Sequence, residues 1–264
     1  MSTWILLRGL ARESRHWGAF PGHFGAVVGA ERVVALDLPG NGELHDQPSP
    51  TRVEAMADWV AAELARRALN PPVRVLALSL GAMVAAAWAC RAPAQIEAMV
   101  LINTSMRPFN PVWQRLRPGA WGPVLRMLAA GGDPARLERA VLGLTSNDRQ
   151  AAAAAYPQWC EIARTRPVSM ANTVRQLWAA ARFEAPRERP PVPCLVLVSA
   201  HDRMVDPRCS QQLAEAWGAG LMTHPQAGHD LPLDDGDWVA RSVAQWLAAD
   251  PQVAGNPLAE AALR

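Results

Sequence analysis

The sequence predicts an α/β domain: a mostly parallel sheet of about six strands flanked by helices, with one helical insertion. Three observations predict it. Short runs rich in Val, Ile and Leu recur without polar alternation, as in strands covered on both faces. Helical patterns separate them, which is the repeated strand and crossover-helix unit. The alternation stops between Arg107 and Glu184, where no strand pattern occurs, and then resumes. At 264 residues the chain suffices for one large domain that buries about three quarters of its unfolded surface.

In chain order the strand runs are TWILLR (Thr3 to Arg8), RVVALDL (Arg32 to Leu38), VRVLAL (Val73 to Leu78) and AMVLIN (Ala98 to Asn103). PVPCLVLVS (Pro191 to Ser199) and GLMTH (Gly220 to His224) follow the gap. Thr51 and Glu54 match a capping box, after which Val53, Met56, Val60 and Leu64 share one helical face. Within the gap, Asp133 and Pro134 read as N-cap and first helical residue, with Leu137, Val141 and Leu144 on one stripe. Asp206 and Pro207 repeat that start signal, and Val239, Val243, Trp246 and Leu247 mark a last amphipathic helix. The expected organisation is a core of residues 1–106 and 185–250, a helical insertion over 107–184 and a tail over 251–264.

All 26 basic residues are arginine, yet the net charge is only +2 and no basic tract occurs, so no nucleic-acid partner is expected. The opening MSTWILLRG has four apolar residues before Arg8, short of the ~7–15 of a secretory signal. No apolar run reaches the ~20 residues that span a bilayer. The expectation is a cytoplasmic protein without membrane insertion. Cys90, Cys160, Cys194 and Cys209 lack metal-ligand or redox spacing and read as small buried hydrophobes; no metal or cofactor is expected.

One hydroxyl interrupts the apolar run VRVLALSLGAMV. Ser79 stands where strand residues give way to helix residues, with Ala77 and Gly81 two positions either side. A turn sharp enough to project a nucleophile strains the serine backbone and tolerates only small residues at those positions. A helix N-cap serine would look similar, and Ala77 stands where G-x-S-x-G has its first glycine. Partners strengthen the nucleophile reading. An activated serine needs an imidazole to take its proton and a carboxylate to orient that ring. Asp202 in LVSAHDRMVD and His229 in QAGHDLPLDD each follow a strand run, in the chain order serine, acid, histidine. His16, His23, His45 and His224 lack such partners, and His201 reads as shaping the acid loop. Asp206 is the nearest rival acid; Asp230, Asp234 and Asp235 crowd the histidine.

With these motifs the chain resembles the α/β-hydrolase superfamily, in particular small lid-bearing esterases similar to the pimeloyl-acyl-carrier methyl ester esterases. DLPGNG (Asp37 to Gly42) resembles the family's loop after a strand, SLGA its nucleophile elbow, HDRMV its acid loop and AGHD its histidine loop. The resemblance implies Ser79 as nucleophile, Asp202 as acid, His229 as base, and an oxyanion hole from the backbone N–H groups of Leu10 and Leu80. It implies no cofactor, and the insertion as a lid. The chain departs from the family at Arg8-Gly9, where such enzymes usually have His-Gly. Arg8 reads either as a fixed positive charge near the pocket or as a solvent-directed arginine held by a loop carboxylate.

Between Arg107 and Glu184 eleven arginines face five acids, a net +6, which leaves −4 for the rest. Trp113, Trp121, Trp159 and Trp178 lie there too, and Arg8, Gly9, Trp113 and Trp121 are candidate substrate contacts. The insertion reads either as an apolar acyl-binding lid whose basic outside attracts an acyl carrier protein or carboxylate-bearing substrate, or as a solvated helical surface. The expected activity is hydrolysis of a carboxylic ester or thioester through an acyl-enzyme. The same three residues also serve carbon–carbon bond hydrolases and lyases, and a catalytically silent binding protein of this fold is the alternative of another class.

Overall fold

A computed structural model describes residues 2–128 and 133–249. The strand runs form β1 (Thr3–Leu7), β2 (Arg32–Leu36), β3 (Val73–Leu78), β4 (Ile96–Ile102), β5 (Cys194–Ser199) and β6 (Gly220–His224). They make one sheet in the order β2-β1-β3-β4-β5-β6 with every neighbouring pair parallel. Helices α1 (Phe20–Val28), α2 (Val53–Arg66) and α3 (Leu80–Arg91) are the first crossovers, and α9 (Arg208–Trp217) joins β5 to β6. The chain closes with α10 (Leu231–Asp234) and α11 (Gly236–Ala249).

The strand period of two sorts the side chains into two cores. Ile5, Leu7, Val75, Ala77, Met99, Leu101 and Val196 pack beneath α2, α3 and α9. Their neighbours Trp4, Leu6, Leu76, Leu78, Val100, Ile102, Leu195 and Leu197 pack on the other face with α1 and α11. Double-sided burial therefore holds for the four inner strands. It does not hold for β2 and β6, whose residues are largely half-buried or exposed because each borders only one strand. The Thr51–Glu54 capping box does not form either: α2 starts at Val53 with Arg52 at the cap position and no side-chain cap bond. Cys194 and Cys209 are buried, but Cys90 is exposed at the end of α3 and Cys160 half-buried. Burial pushes the Cys194 and Cys209 thiols up to about 12, which leaves them unreactive as nucleophiles.

Between β4 and β5 run α4 (Val112–Arg115), α5 (Pro118–Leu128), α6 (Pro134–Thr145), α7 (Arg149–Thr165) and α8 (Met170–Arg182). The chain leaves and re-enters the core where Arg107 and Glu184 form an isolated parallel bridge. Asp133 caps α6 through the N–H groups of Ala135 and Arg136, at the position the sequence predicts. Val141, Leu142, Trp159 and Ile162 form the insertion's own small core. The tail over 251–264 lies outside the described residues. No described helix is long and apolar enough to cross a membrane.

The chain order reverses between β1 and β3, so the loops following these adjacent strands part there and leave a crevice at the C-terminal sheet edge. At that point α3 presses on the end of β1: a Cβ built on Gly81 would lie 2.5 Å from Leu7 O and 2.7 Å from Arg8 O. Backbone carbonyls cannot yield as a flexible side chain would. Gly81→Ala is expected to destabilise the fold by on the order of 1–3 kcal/mol, read from the urea midpoint. An unchanged midpoint would show that α3 can back away from β1 without loss.

Candidate active site

Ser79 joins β3 to α3 with φ 56° and ψ −114°, a left-handed conformation that costs a side-chain-bearing residue about 1–3 kcal/mol. Surrounding bonds hold it. Its N–H donates to Ile102 O at 2.9 Å, and its carbonyl accepts from Thr104 Oγ1 at 3.1 Å. Although it occupies the cap position of α3, its hydroxyl makes no cap bond. The helix-capping alternative therefore falls, and the hydroxyl stays available to the cavity it lines.

Asp202 and His229 meet as their order and strand-end positions predict. His229 Nδ1 lies 2.7 Å from Asp202 Oδ2, with both side chains buried. Asp202 Oδ1 accepts from the N–H groups of Met204 (2.8 Å) and Val205 (2.9 Å), so the carboxylate is fixed on both oxygens. With Asp202 ionised, the short bond requires the ring proton on Nδ1 and leaves the Nε2 lone pair free. Among the described residues no hydrogen bond joins His229 to Ser79 Oγ, but both line one cavity. Such contacts often tighten only when substrate binds.

Leu80 and Leu10, the expected backbone donors, belong to the segments that border the serine. Leu80 N–H opens α3 and so has no intrahelical acceptor. Gly9 lies against Ser79: a Cβ there would be 3.3 Å from Ser79 Cβ and 3.8 Å from Ser79 Oγ, and Leu10, which follows it, lines the same cavity.

Neither sequence-based reading of Arg8 fits entirely. A loop carboxylate does hold it, Nη1 and Nη2 donating to Asp230 at 3.0 and 2.5 Å, but the pair is buried rather than solvent-directed. Its guanidinium lies 4.7 Å from the Trp17 ring centroid. The charge at the pocket is therefore already matched. Asp230 is thereby occupied, as are its neighbours: Asp234 accepts from the N–H groups of Gly228 and Asn147, and Asp235 bonds His224. Asp206 pairs with Arg208, whose hydrogen bond holds its carboxyl below the usual range. Of the acids that crowd the histidine, Asp202 is the one on its ring.

The cavity is about 480 Å³, within the roughly 300–1,000 Å³ of small-molecule sites. Its wall is largely apolar, with Val124, Leu137, Val141, Trp159, Ile162 and Leu177 of the insertion facing Leu10, Leu78 and Met204 of the core. Trp113 and Trp121 are not part of it. They are 61% and 50% exposed, on the outer sides of α4 and α5; the buried tryptophan at the cavity is Trp159. Sequence reasoning also missed polar wall residues. Arg12 Nη1 donates to Glu138 Oε2 at 2.7 Å, and His16, 2.9 Å from the same nitrogen, is held neutral by burial and then by the charges of Arg12 and Arg8. Their one sequence signal was the reciprocal Glu13–His16 cap of the short helical turn after β1. Asn103 was missed as well: its Nδ2 donates to His229 O (2.8 Å) and Ser199 Oγ (2.9 Å), tying the histidine loop to β5.

Comparison with known proteins agrees with this architecture. The sequence model of the alpha/beta hydrolase family matches residues 4–242. No curated protein matches the chain significantly in sequence. Among solved structures, an esterase from Thermogutta terrifontis superposes with TM-score 0.70 at 22% identity, over 94% of this chain and 90% of that one. The enol-lactonase of Burkholderia xenovorans LB400 gives 0.74 at 21% identity, over 94% and 91%. The 2-hydroxy-6-oxo-6-phenylhexa-2,4-dienoate hydrolase of Rhodococcus sp. strain RHA1 gives 0.72 at 18%, again over 94% and 91%.

Burial opposes the imidazolium of His229, but the charge and hydrogen bond of Asp202, helped by Asp230, outweigh it and raise its pKa above the ordinary value despite Arg8. The ring should therefore titrate above the usual ~6.5. In Asp202→Asn the main raising cause goes while burial remains, so the midpoint should fall. NMR titration of the His229 ring protons checks both, and equal midpoints in the two proteins would mean that Asp202 does not govern this ring.

Proposed function

The chain belongs to the alpha/beta hydrolase family, and on that basis we propose that it is a serine hydrolase cleaving a carboxylic ester or thioester through an acyl-enzyme. The observation that carries this reading is the buried Asp202–His229 bond and a strained serine whose hydroxyl makes no cap bond, with Ser79 and His229 on one cavity. Ser79 Oγ attacks the acyl carbon as His229 Nε2 takes its proton, and Asp202 stabilises the imidazolium that forms. The N–H groups of Leu10 and Leu80 receive the negative oxygen of the tetrahedral intermediate. His229 then protonates the leaving group. Water, activated by the same ring, releases the acid.

Helices α5 to α8 act as the lid whose inner side binds the acyl group. Arg8 and Arg12 are matched by Asp230 and Glu138, and Arg166 lies 3.6 Å from Glu43 and 4.0 Å from Glu13, so among the described residues every arginine of the cavity has an acid beside it. A neutral apolar acyl group fits that wall better than the anion named for the dienoate hydrolase, which favours ester over carbon–carbon cleavage. The insertion's acids are likewise engaged: Asp133 with Arg136, Glu161 with Arg164 and Glu184 with Arg107 on its exposed side. The basic outside is accordingly read as solvated surface rather than a dock for an acyl carrier protein.

A fluorophosphonate should label the protein at Ser79, and Ser79→Ala should abolish labelling and cut kcat on p-nitrophenyl esters by on the order of 10⁴–10⁶. Persistent labelling or undiminished hydrolysis in Ser79→Ala sinks the proposal. Among medium-chain esters, a neutral acyl group should exceed its ω-carboxylate counterpart roughly tenfold or more in kcat/KM, because the cavity would strip water from an unpaired carboxylate. The reverse preference would show that one of the lining arginines is free to bind substrate.

A further inference from the structure

A buried polar cluster, away from the triad, joins the insertion to two core loops. Asn41, Ser49 and Gln176 are each 1% exposed and Asn172 5%. Gln176, on α8, is the centre: its Nε2 donates to Asn41 Oδ1 and Ser49 Oγ, both at 2.9 Å, and its Oε1 accepts from Ala11 N at 2.8 Å. One turn earlier, Asn172 Oδ1 accepts from Ser49 N at 2.8 Å while its Nδ2 donates to Gln47 O at 2.9 Å. Gly40 closes the packing, since a Cβ there would lie 2.0 Å from Ser49 Oγ and 2.9 Å from the Asn172 amide.

Where this cluster ends matters more than its size. Ala11 has φ 54°, a conformation that a residue with a side chain keeps only when its surroundings enforce it. The peptide whose N–H Gln176 takes is the one following Leu10. Fixing that peptide plane fixes Leu10 ψ and Ala11 φ together, and with them the run of the loop that presents the preceding N–H, that of Leu10. A solvent molecule could accept from Ala11 as well, but it would not fix an orientation.

We infer that Gln176 is a positioning residue for the oxyanion hole: the insertion reaches back to the core through its amide and orients the Leu10 donor. The inference rests on the serine-hydrolase reading and on Leu10 N–H serving the oxyanion. Asn172 supplies the comparison, because it ties the same helix to the Asp37–Ser49 loop without touching the loop of Leu10. A cluster that only fastened the insertion would make the two residues equivalent.

The experiment compares Gln176→Met, Gln176→Glu and Asn172→Ala in the full chain, by kcat and KM on one neutral ester, fluorophosphonate labelling rate and Tm. Gln176→Met, isosteric and unable to accept from Ala11, should lose roughly 10- to 100-fold in kcat and labelling rate, part of the cost of removing an oxyanion donor outright. Its KM should stay within about twofold, as expected when an interaction of the transition state is lost. Asn172→Ala should lower Tm at least as much yet keep kcat within about threefold. Gln176→Glu, which burial holds as the neutral acid, keeps a carbonyl acceptor for Ala11 and returns one O–H donor toward Asn41 Oδ1; this variant should restore kcat. Should Gln176→Met fail to fold, Gln176→Asn, one methylene too short for Ala11, must show the same loss confined to kcat. If the wild type is Ser79-dependent but Gln176→Met keeps its kcat, or loses it in step with Asn172→Ala, the positioning role is wrong while the hydrolase reading stands. If the wild type neither labels nor depends on Ser79, the reading fails and the role of Gln176 fails with it.

Discussion

The contact between Gly81 and the carbonyls of Leu7 and Arg8 is the constraint from which the candidate site follows. It brings the first turn of α3 against the end of β1, a distance open only to a residue without a side chain. Because β3 lies beside β1 in register, Leu7 opposite Ala77, the chain has one residue, Ser79, in which to turn from strand to helix. That turn needs a positive φ, and Ser79 pays it. In return the helix delivers an unpaired N–H beside the serine, and the loop after β1 can run close enough for Gly9 to touch it. Ser79 and both candidate donors therefore derive their placement from one close approach of backbone to backbone.

Charge pairing then decides which acid serves which base. The crevice gathers Arg8, Arg12, His229, Asp230 and Glu138 in little solvent, with Asp202 buried behind His229, and an unmatched charge there is costly. Arg8 takes both oxygens of Asp230, so the acid adjacent to His229 in sequence is withheld from its ring. Asp202, 27 residues away, is the one presented to Nδ1. Arg8 is thus a counter-ion that keeps the ring's partner unambiguous, and its charge is spent on that.

What the sequence disclosed follows the same physics. Burial on both faces removes polar residues from an inner strand, and β3 matches its expected limits; the edge strand β6 matches too although its residues are largely half-buried or exposed, whereas the predicted second strand overran the edge strand β2 by two residues. The candidates Ser79, Asp202 and His229 could be picked out because each follows a strand in a fixed order, a pattern local to the chain, and the structure brings Asp202 and His229 into contact. Trp113 and Trp121 were misjudged since composition says that an insertion is aromatic but not which side of a short helix meets the core. The capping-box pattern failed because Thr51 precedes the true cap position by one residue. Arg8–Asp230, 222 residues apart, and Ala11–Gln176, 165 apart, carry no local signal at all.

The insertion meets the core in two different ways, and the difference bears on how such a site can change. Along α5, α6 and α7 the contact with the cavity is mostly apolar, from Val124, Leu137, Val141, Trp159 and Ile162, and contacts of that kind tolerate exchange for other apolar groups of similar volume. Along α8, beside the apolar contact of Leu177, runs a set of buried amide hydrogen bonds, where losing one partner strands the other without water. The first surface can reshape the cavity by small steps at modest cost. The second cannot drift in the same way, because a change at Asn172 or Gln176 must be answered at once in the loops after β1 and β2. An insertion divided like this lets the shape of the cavity vary while the loop beside Ser79 keeps its geometry.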